Sequence, residues 1–203
     1  MSKIKICGLS RPCDIDYVNE AKPDFCGFII GVPKSRRNVS SETVRALVKN
    51  LSPDIAPVGV FVNAPLEEIA ALAGDGIIRY VQLHGQEDEA YIARLRKLVT
   101  APIIQAFKVS CPEDVQRAEQ SSADYILLDN GSGGTGKTFE WSNLRNITRP
   151  YILAGGLGPE NLAQAVERLN PWGTDLSSGV ETDGVKDREK ILAAVQAVRN
   201  ASI

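Results

Sequence analysis

The feature that most constrains the fold of this 203-residue chain is an eightfold recurrence of short apolar runs, each followed by a segment with helix signals. Successive runs begin 21 to 32 residues apart, which is the length of a strand, a helix and two short loops. Continuous apolar strands are typical of a parallel sheet buried on both faces. The predicted strands are Lys3–Cys7, Phe25–Ile30, Pro57–Val62, Ile78–Leu83, Pro102–Phe107, Tyr125–Asp129, Tyr151–Ala154 and Thr174–Ser177.

Several of the segments between these runs carry recognisable helix boundaries. Ser40 stands as an N-cap before the apolar stripe Val44–Val48, and Pro65 and Pro159 each stand where a helix opens. Apolar residues at helical spacing predict two more helices, over Glu87–Leu98 and Asp187–Arg199. Strands alternating with helices indicate an α/β fold.

Eight such units predict a single (β/α)8 TIM barrel that spans residues 1–203 as one domain. The alternative is an open, doubly wound sheet. Against that alternative, the first run is followed by Cys7-Gly8-Leu9-Ser10 and not by the Gly-x-Gly-x-x-Gly fingerprint of dinucleotide-binding sheets.

Composition excludes several classes of function. The net charge of −2 gives no basic footprint for nucleic acid, and no apolar run approaches the length of a membrane span. The four cysteines are scattered and the chain has one histidine, which argues against a zinc site. We expect a cytoplasmic protein with reduced cysteines and without metal or organic cofactor, and we take a monomer as the default.

In a TIM barrel the active site lies where the strands end. Two late loops there are rich in glycine: Gly155-Gly156 follows the seventh strand, and Ser178-Gly179 follows the eighth. Loops at these positions commonly bind phosphate through backbone N–H groups, and glycine allows the close approach. We therefore predict a phosphorylated small molecule as the ligand, bound at Gly155, Gly156, Ser178 and Gly179.

A competing phosphate motif lies after the sixth strand. Gly131–Thr138 satisfies the Walker A pattern, in which Lys137 would contact nucleotide phosphates. A P-loop opens directly into a helix, whereas Phe139-Glu140-Trp141-Ser142 is a weak helix start. A P-loop nucleotide-binding module therefore remains a minor alternative.

Together the strand-end motifs resemble the phosphoribosylanthranilate isomerase family of tryptophan biosynthesis over nearly the whole chain. The motifs that carry the resemblance are Lys5-Ile6-Cys7-Gly8, Pro33–Arg37, Val58–Asn63, Val81–Gly85, Leu128-Asp129, Gly133–Lys137, Leu153–Leu157 and Asp175–Glu181. The family carries out an Amadori rearrangement of N-(5-phosphoribosyl)anthranilate to 1-(2-carboxyphenylamino)-1-deoxyribulose 5-phosphate. An acid must open the sugar ring, and a base must remove the proton from the sugar C2.

The resemblance implies Asp129 as the general acid and Cys7 as the general base. It also implies that Arg37 pairs with the anthranilate carboxylate, although the family's Ser-Pro-Arg reads Ser35-Arg36-Arg37 here, so that either arginine could make the contact. Gln82, His84 and Asp175 are expected to contact the substrate. From the residues alone, a cysteine such as Cys7 is more often a buried packing residue, and an aspartate such as Asp129 is more often an N-cap or loop anchor.

Two other functions stay open at this level. One is a related phosphosugar barrel enzyme, such as indole-glycerol-phosphate synthase, although that enzyme would be expected to carry catalytic lysines and a longer N-terminal segment. The other is a non-catalytic relative that only binds a phosphosugar, which the presence of both candidate catalytic residues disfavours.

Overall fold

A computed structural model describes residues 1–129, 144 and 147–201 of the chain. Eleven strands lie within these residues: β1 (Lys3–Cys7), β2 (Phe25–Ile30), β3 (Asn38–Val39), β4 (Ala56–Phe61), β5 (Tyr80–Leu83), β6 (Ile103–Lys108), β7 (Tyr125–Asp129), β8 (Tyr151–Ala154), β9 (Gly173–Leu176), β10 (Glu181–Thr182) and β11 (Val185–Lys186). The described helices are α1 (Pro12–Ala21), α2 (Ser41–Val48), α3 (Leu66–Gly74), α4 (Glu89–Leu95), α5 (Pro112–Glu119), α6 (Pro159–Leu169) and α7 (Arg188–Ala201).

The strands close into an eight-stranded parallel barrel, so the predicted TIM barrel is confirmed. The order around the barrel is β1-β9-β8-β7-β6-β5-β4-β2, and β1 also pairs with β2 to complete the circle. The short strand β3 adds to β2 outside this circle, and β10 and β11 form a small antiparallel hairpin after the barrel. Closure brings the first and last barrel strands together, with Lys5 opposite Asp175.

The barrel has two separate apolar regions. Side chains that point outward from the strands, such as Ile4 and Ile6 on β1, pack against the helices in the larger one. A smaller cluster fills the barrel interior and is lined at the amino ends of the strands by aromatic rings. Because strand side chains alternate, Lys5 and Cys7 point into the interior between those outward-facing isoleucines.

Three helices begin with the same capping arrangement. In each, proline is the first helical residue, and the polar residue two positions later accepts hydrogen bonds from backbone N–H groups just before the proline. Asp14 accepts from Ser10 and Arg11 (2.9 and 3.0 Å), Asp114 accepts from Ser110 and Cys111 (2.7 and 3.1 Å), and Asn161 accepts from Gly158 (3.0 Å). These caps fix the loops that leave β1, β6 and β8.

Some predicted boundaries differ from the structure. The helix expected to begin at Glu87 begins at Glu89, because the Glu87 carboxylate accepts from the N–H groups of Asn63 and Gly85 (2.6 and 2.7 Å) and Asp88 is the N-cap. The strand expected to begin at Ile78 begins at Tyr80, because the Ile78 N–H still bonds the end of α3 at Leu72. The other barrel strands agree with the prediction to within a residue at each end.

Candidate active site

A cavity of about 640 Å³ opens at the carboxyl ends of the barrel strands. All ten residues that the sequence nominated for catalysis or binding contribute to its lining, although they come from six different loops or strand ends. They are Cys7, Arg37, Gln82, His84, Asp129, Gly155, Gly156, Asp175, Ser178 and Gly179. Barrel closure has therefore brought the whole predicted set to one place.

The Cys7 thiol lies on the floor of this cavity beside a buried ion pair. The ammonium of Lys5 is 3.0 Å from the Asp175 carboxylate, and both side chains are almost completely buried. Burial raises the pKa of the Cys7 thiol above its ordinary value, and the nearby Lys5 charge opposes that rise without cancelling it. The pKa of Lys5 is itself raised, because the Asp175 and Cys7 charges outweigh the effect of its burial.

Asp129 faces the cavity from the end of β7, and its carboxylate lies near the imidazole of His84. The distance from His84 Nε2 to Asp129 Oδ2 is 3.9 Å. On the other side of the ring, Gln82 Nε2 lies 3.0 Å from His84 Nδ1, which is hydrogen-bonding distance. The Oε1 atom of Gln82 is buried and has no hydrogen-bond partner among the residues that the structure describes. It is therefore an unused acceptor within a side chain that lines the cavity.

Both arginines of the second loop are held by a single carboxylate. Glu181 accepts from Nε and Nη2 of Arg37 (2.6 and 2.8 Å) and from Nη2 of Arg36 (2.8 Å). The buried Lys186 ammonium lies 2.6 Å from the same carboxylate. Burial raises the pKa of Glu181, but the hydrogen bonds from Arg37 and Lys186 outweigh it and hold the pKa at about 2. Arg36 is 61% exposed and Arg37 20%, so Arg37 is the more rigidly placed of the two.

Glycines at this end of the barrel make room for close packing. A methyl group on Gly179 would lie 1.9 Å from the carbonyl oxygen of Leu157, so the loops after β8 and β9 are packed backbone against backbone. Gly155 and Gly156 have φ of +90° and +66°, a region that L-residues rarely adopt. A methyl group on Gly8 would lie 2.5 Å from Cδ of Arg37, so this glycine makes space for the arginine side chain.

Sequence reasoning did not single out Lys5, Glu181 or Lys186 as site residues. Lys5 carried a usable signal, since a lysine within a strand that is buried on both faces is anomalous, and alternation places it on the same face as Cys7. Glu181 carried none, because its partner Arg37 in the second loop is 144 residues away, and Lys186 carried none, because it only pairs with Glu181. Only the folded chain reveals that Glu181 holds Arg37 and is itself paired with Lys186.

Three further expectations from the sequence concern a P-loop, a metal site and a membrane span. The Walker-like stretch Gly131–Thr138, with Lys137, lies outside the described residues. Among the residues that are described, no group of three or more His, Cys, Asp or Glu side chains is arranged to hold a metal ion. None of the described helices has the length and apolar character needed to cross a membrane.

The closed barrel with a charged, glycine-rimmed cavity at its carboxyl end places the chain among the TIM-barrel enzymes. The family model described as N-(5'phosphoribosyl)anthranilate (PRA) isomerase matches residues 4–197. The chain therefore belongs to the N-(5'-phosphoribosyl)anthranilate isomerase family, as the resemblance indicated.

Individual relatives agree with this assignment along the full length. The N-(5'-phosphoribosyl)anthranilate isomerase of Endomicrobium trichonymphae is 44% identical, and the alignment covers 98% of this chain and all of the relative. That of Lactiplantibacillus plantarum is 43% identical over 100% of this chain and 95% of the relative.

Solved structures give the same result. The phosphoribosyl anthranilate isomerase of Thermotoga maritima superimposes with a TM-score of 0.88 at 36% identity, covering 98% of this chain and all of that one. A phosphoribosyl anthranilate isomerase in complex with reduced 1-(o-carboxyphenylamino)-1-deoxyribulose 5-phosphate superimposes with a TM-score of 0.86 at 34% identity and the same coverage.

Proposed function

We propose that this chain converts N-(5'-phosphoribosyl)anthranilate to 1-(2-carboxyphenylamino)-1-deoxyribulose 5-phosphate, with Cys7 as general base and Asp129 as general acid. The observation that carries the proposal is that the two side chains line one cavity from β1 and β7, together with an arginine and two glycine-rich loops. An acid and a base placed around one bound sugar are what ring opening and proton transfer at C2 require.

Cys7 is suited to remove the C2 proton because its thiol lines the cavity beside the positive charge of Lys5. The thiolate is the reactive form, and its fraction grows as the pH rises toward the raised pKa of the thiol. Once the proton has left, the electron pair spreads into the protonated Schiff base of the substrate, so the substrate serves as its own electron sink. No cofactor is then needed for this step, and we propose that none is used.

Asp129 is suited to protonate the ring oxygen because it lies at the cavity rim, on the strand next to β8. His84 stands 3.9 Å away and is oriented on its other side by Gln82. We assign His84 and Gln82 to the wall that orients the acid and the substrate. The unused Gln82 Oε1 is available to accept a hydrogen bond from a substrate hydroxyl or N–H group.

The glycine-rich loops are suited to the phosphate. Gly155 and Gly156 follow β8, and Ser178 and Gly179 follow β9, so backbone N–H groups from adjacent strands lie on one side of the cavity. Helix α6 begins immediately beyond, after the N-cap Gly158, and the partial positive charge of its N-terminus favours an anion here. The phosphate group would thus lie at the opposite end of the substrate from the anthranilate ring.

Arg37 is the better candidate for the anthranilate carboxylate. Its Nε and Nη2 atoms are engaged by Glu181, which fixes the guanidinium plane, while Nη1 has no bond to that carboxylate. We expect Arg37→Ala to raise KM at least tenfold, about 1.4 kcal/mol of binding free energy, and Arg36→Ala to raise it only a few-fold. A larger effect for Arg36 in steady-state kinetics would transfer the role to that residue.

Three further features belong to the proposal: one domain over residues 1–203, a monomer, and a cytoplasmic location. All four cysteines are free thiols, as expected in a reducing compartment. Sedimentation equilibrium across a range of concentrations tests the monomer.

The function is tested by following the loss of fluorescence of freshly generated phosphoribosylanthranilate. Cys7→Ala and Asp129→Asn should each lower kcat by about a hundredfold or more, as expected for removal of a general base or acid. Cys26→Ala is the matched control, since Cys26 is buried among the outward-facing apolar residues. Near-normal turnover in either catalytic variant, with the fold verified by circular dichroism, would remove that residue from its role.

A further inference from the structure

Lys5 is a charged side chain in the barrel interior that the proposed chemistry does not use directly. It is 1% exposed, although burying a lysine is costly unless its charge is compensated. It lies on the same inward face of β1 as Cys7, two residues earlier in the chain. Because burying this charge is costly, we expect Lys5 to have a functional role, and the residues around it indicate which role.

The geometry places the Lys5 ammonium beside both a carboxylate and the thiol. Its Nζ atom is 3.0 Å from Oδ1 of Asp175. A methyl group on Gly27, on the adjacent strand, would lie 2.8 Å from Sγ of Cys7 and 3.1 Å from Nζ of Lys5. The two atoms therefore face the same small space within about 6 Å of each other, the range over which one charge shifts the pKa of another group. The absence of a side chain at Gly27 leaves this space open.

We propose that Lys5 is a positioning residue whose charge sets the thiolate fraction of Cys7, and that Asp175 moderates that charge. The ammonium stabilises the thiolate across the space beside Gly27, while the Asp175 carboxylate offsets part of the field of that ammonium. The inference rests on the proposed role of Cys7 as the base. It adds that the reactivity of this base is controlled by a buried pair assembled from β1 and β9.

The other titratable groups around Cys7 are less able to fill this role. Cys26 on β2 is an uncharged thiol in its resting state, with a pKa strongly raised by burial. Arg37 from the second loop and Lys186 from β11 are both bound to Glu181, which offsets their charges. Across the cavity, Asp129 and His84 face each other. Lys5 is the largest opposing influence on the raised pKa of Cys7.

The test measures the pKa of Cys7 directly, through the pH dependence of its alkylation by iodoacetamide, with the modified Cys7 peptide quantified by mass spectrometry. Lys5→Met should move the midpoint up by about one pH unit or more, because the favourable charge is lost and the Asp175 carboxylate remains. Asp175→Asn should move it down by a similar amount. The pH at half-maximal kcat/KM should follow the same directions.

Opposite shifts are the signature of charge control, since a merely structural role for the pair would not move the midpoint in opposite directions. Lys3→Met is the matched control: Lys3 is on the same strand and is paired with Asp24, but it is half-exposed, and its loss should leave the midpoint unchanged. Lys5→Arg, which keeps the charge, should restore the midpoint toward that of the wild type.

Each outcome either supports or overturns the proposed role of Lys5. If Lys5→Met does not fold, the direction of the Asp175→Asn shift still decides, and an upward or absent shift overturns the proposal. If both variants titrate like the wild type while Cys7→Ala is inactive, the role of Lys5 fails and the proposed function stands. If Cys7→Ala remains active, the proposed role of Cys7 as the base fails, and the role of Lys5 fails with it, whatever the titrations show.

Discussion

The two ends of the barrel interior are filled by opposite kinds of side chain. At the amino ends of the strands, the rings of Phe25, Tyr80, Tyr125 and Trp172 meet with centroids 4.5 to 6.2 Å apart. At the carboxyl ends, Cys7 and Asp175 line an open cavity, and Asp175 pairs with the buried ammonium of Lys5. We refer to the four rings as the aromatic base and to the cavity-lining residues as the mouth.

A single strand connects the two ends. β7 starts at Tyr125 in the aromatic base and ends at Asp129 in the mouth, only four residues further on. Aromatic burial contributes favourably to folding, whereas burying charges costs desolvation that their pairing only partly offsets. The barrel therefore separates its stabilising aromatic packing from its site chemistry along its axis. Substitutions at the two ends should consequently have separable effects.

The largest effect on stability is expected at the aromatic base. Phe25→Ala removes the ring that contacts both Tyr80 and Trp172 and should lower the free energy of unfolding by about 3–5 kcal/mol. Urea denaturation measures the loss, and Phe25→Leu should cost less because it leaves a smaller void. The kcat of the folded fraction should stay within about twofold of the wild type. A large drop in kcat at full folding would contradict the separation of the two ends.

An intermediate effect on stability is expected at Glu181, which lies outside the mouth and holds the mouth residue Arg37. Its pKa of about 2 lies below the ordinary 4.5, so its ion pairs stabilise the fold fully above about pH 4.5, and this contribution is lost as the pH falls toward 2. Burial lowers the pKa of its partner Lys186 despite the pairing, so part of the gain is offset. We therefore expect Glu181→Gln to cost about 2 kcal/mol at neutral pH.

The control for Glu181 is Glu189→Gln, which removes an exposed partner of Arg188 on α7 and should change stability by less than about 1 kcal/mol. Thermal unfolding between pH 3 and pH 7 distinguishes the two. The difference between wild type and Glu181→Gln should shrink as the pH falls below about 4.5. A difference that is constant with pH would show that the carboxylate charge is not the cause.

The smallest effect, and the most local, is expected from Gly179→Ala. The added methyl group would collide with the carbonyl of Leu157 and push the two glycine-rich loops apart. We expect KM to rise about tenfold, which is about 1.4 kcal/mol, and inhibition by inorganic phosphate to weaken in parallel. Gly74→Ala is the matched control, because a methyl group there has no neighbour within 4 Å. An unchanged phosphate affinity in Gly179→Ala would place the phosphate elsewhere in the mouth.

The repeated pattern of the sequence was enough to predict the barrel and the order of the site residues around it. Eight apolar runs at regular spacing leave few ways to bury a parallel sheet, and the end of each strand is where its polar and glycine residues appear. That pattern was enough to nominate the glycines after β8 and β9 for phosphate, whereas the roles of Cys7 on β1 and Asp129 on β7 came from the family resemblance.

The charges that these residues meet could not be predicted from the sequence, because they come from distant parts of the chain. Lys5 and Asp175 are 170 positions apart, and Arg37 and Glu181 are 144 apart, so no local pattern pairs them. Closure of the barrel puts β1 beside β9 and the second loop beside the hairpin of β10 and β11. A buried charge is tolerated only next to its partner, so the identity of that partner depends on the closed fold and not on the sequence around either residue.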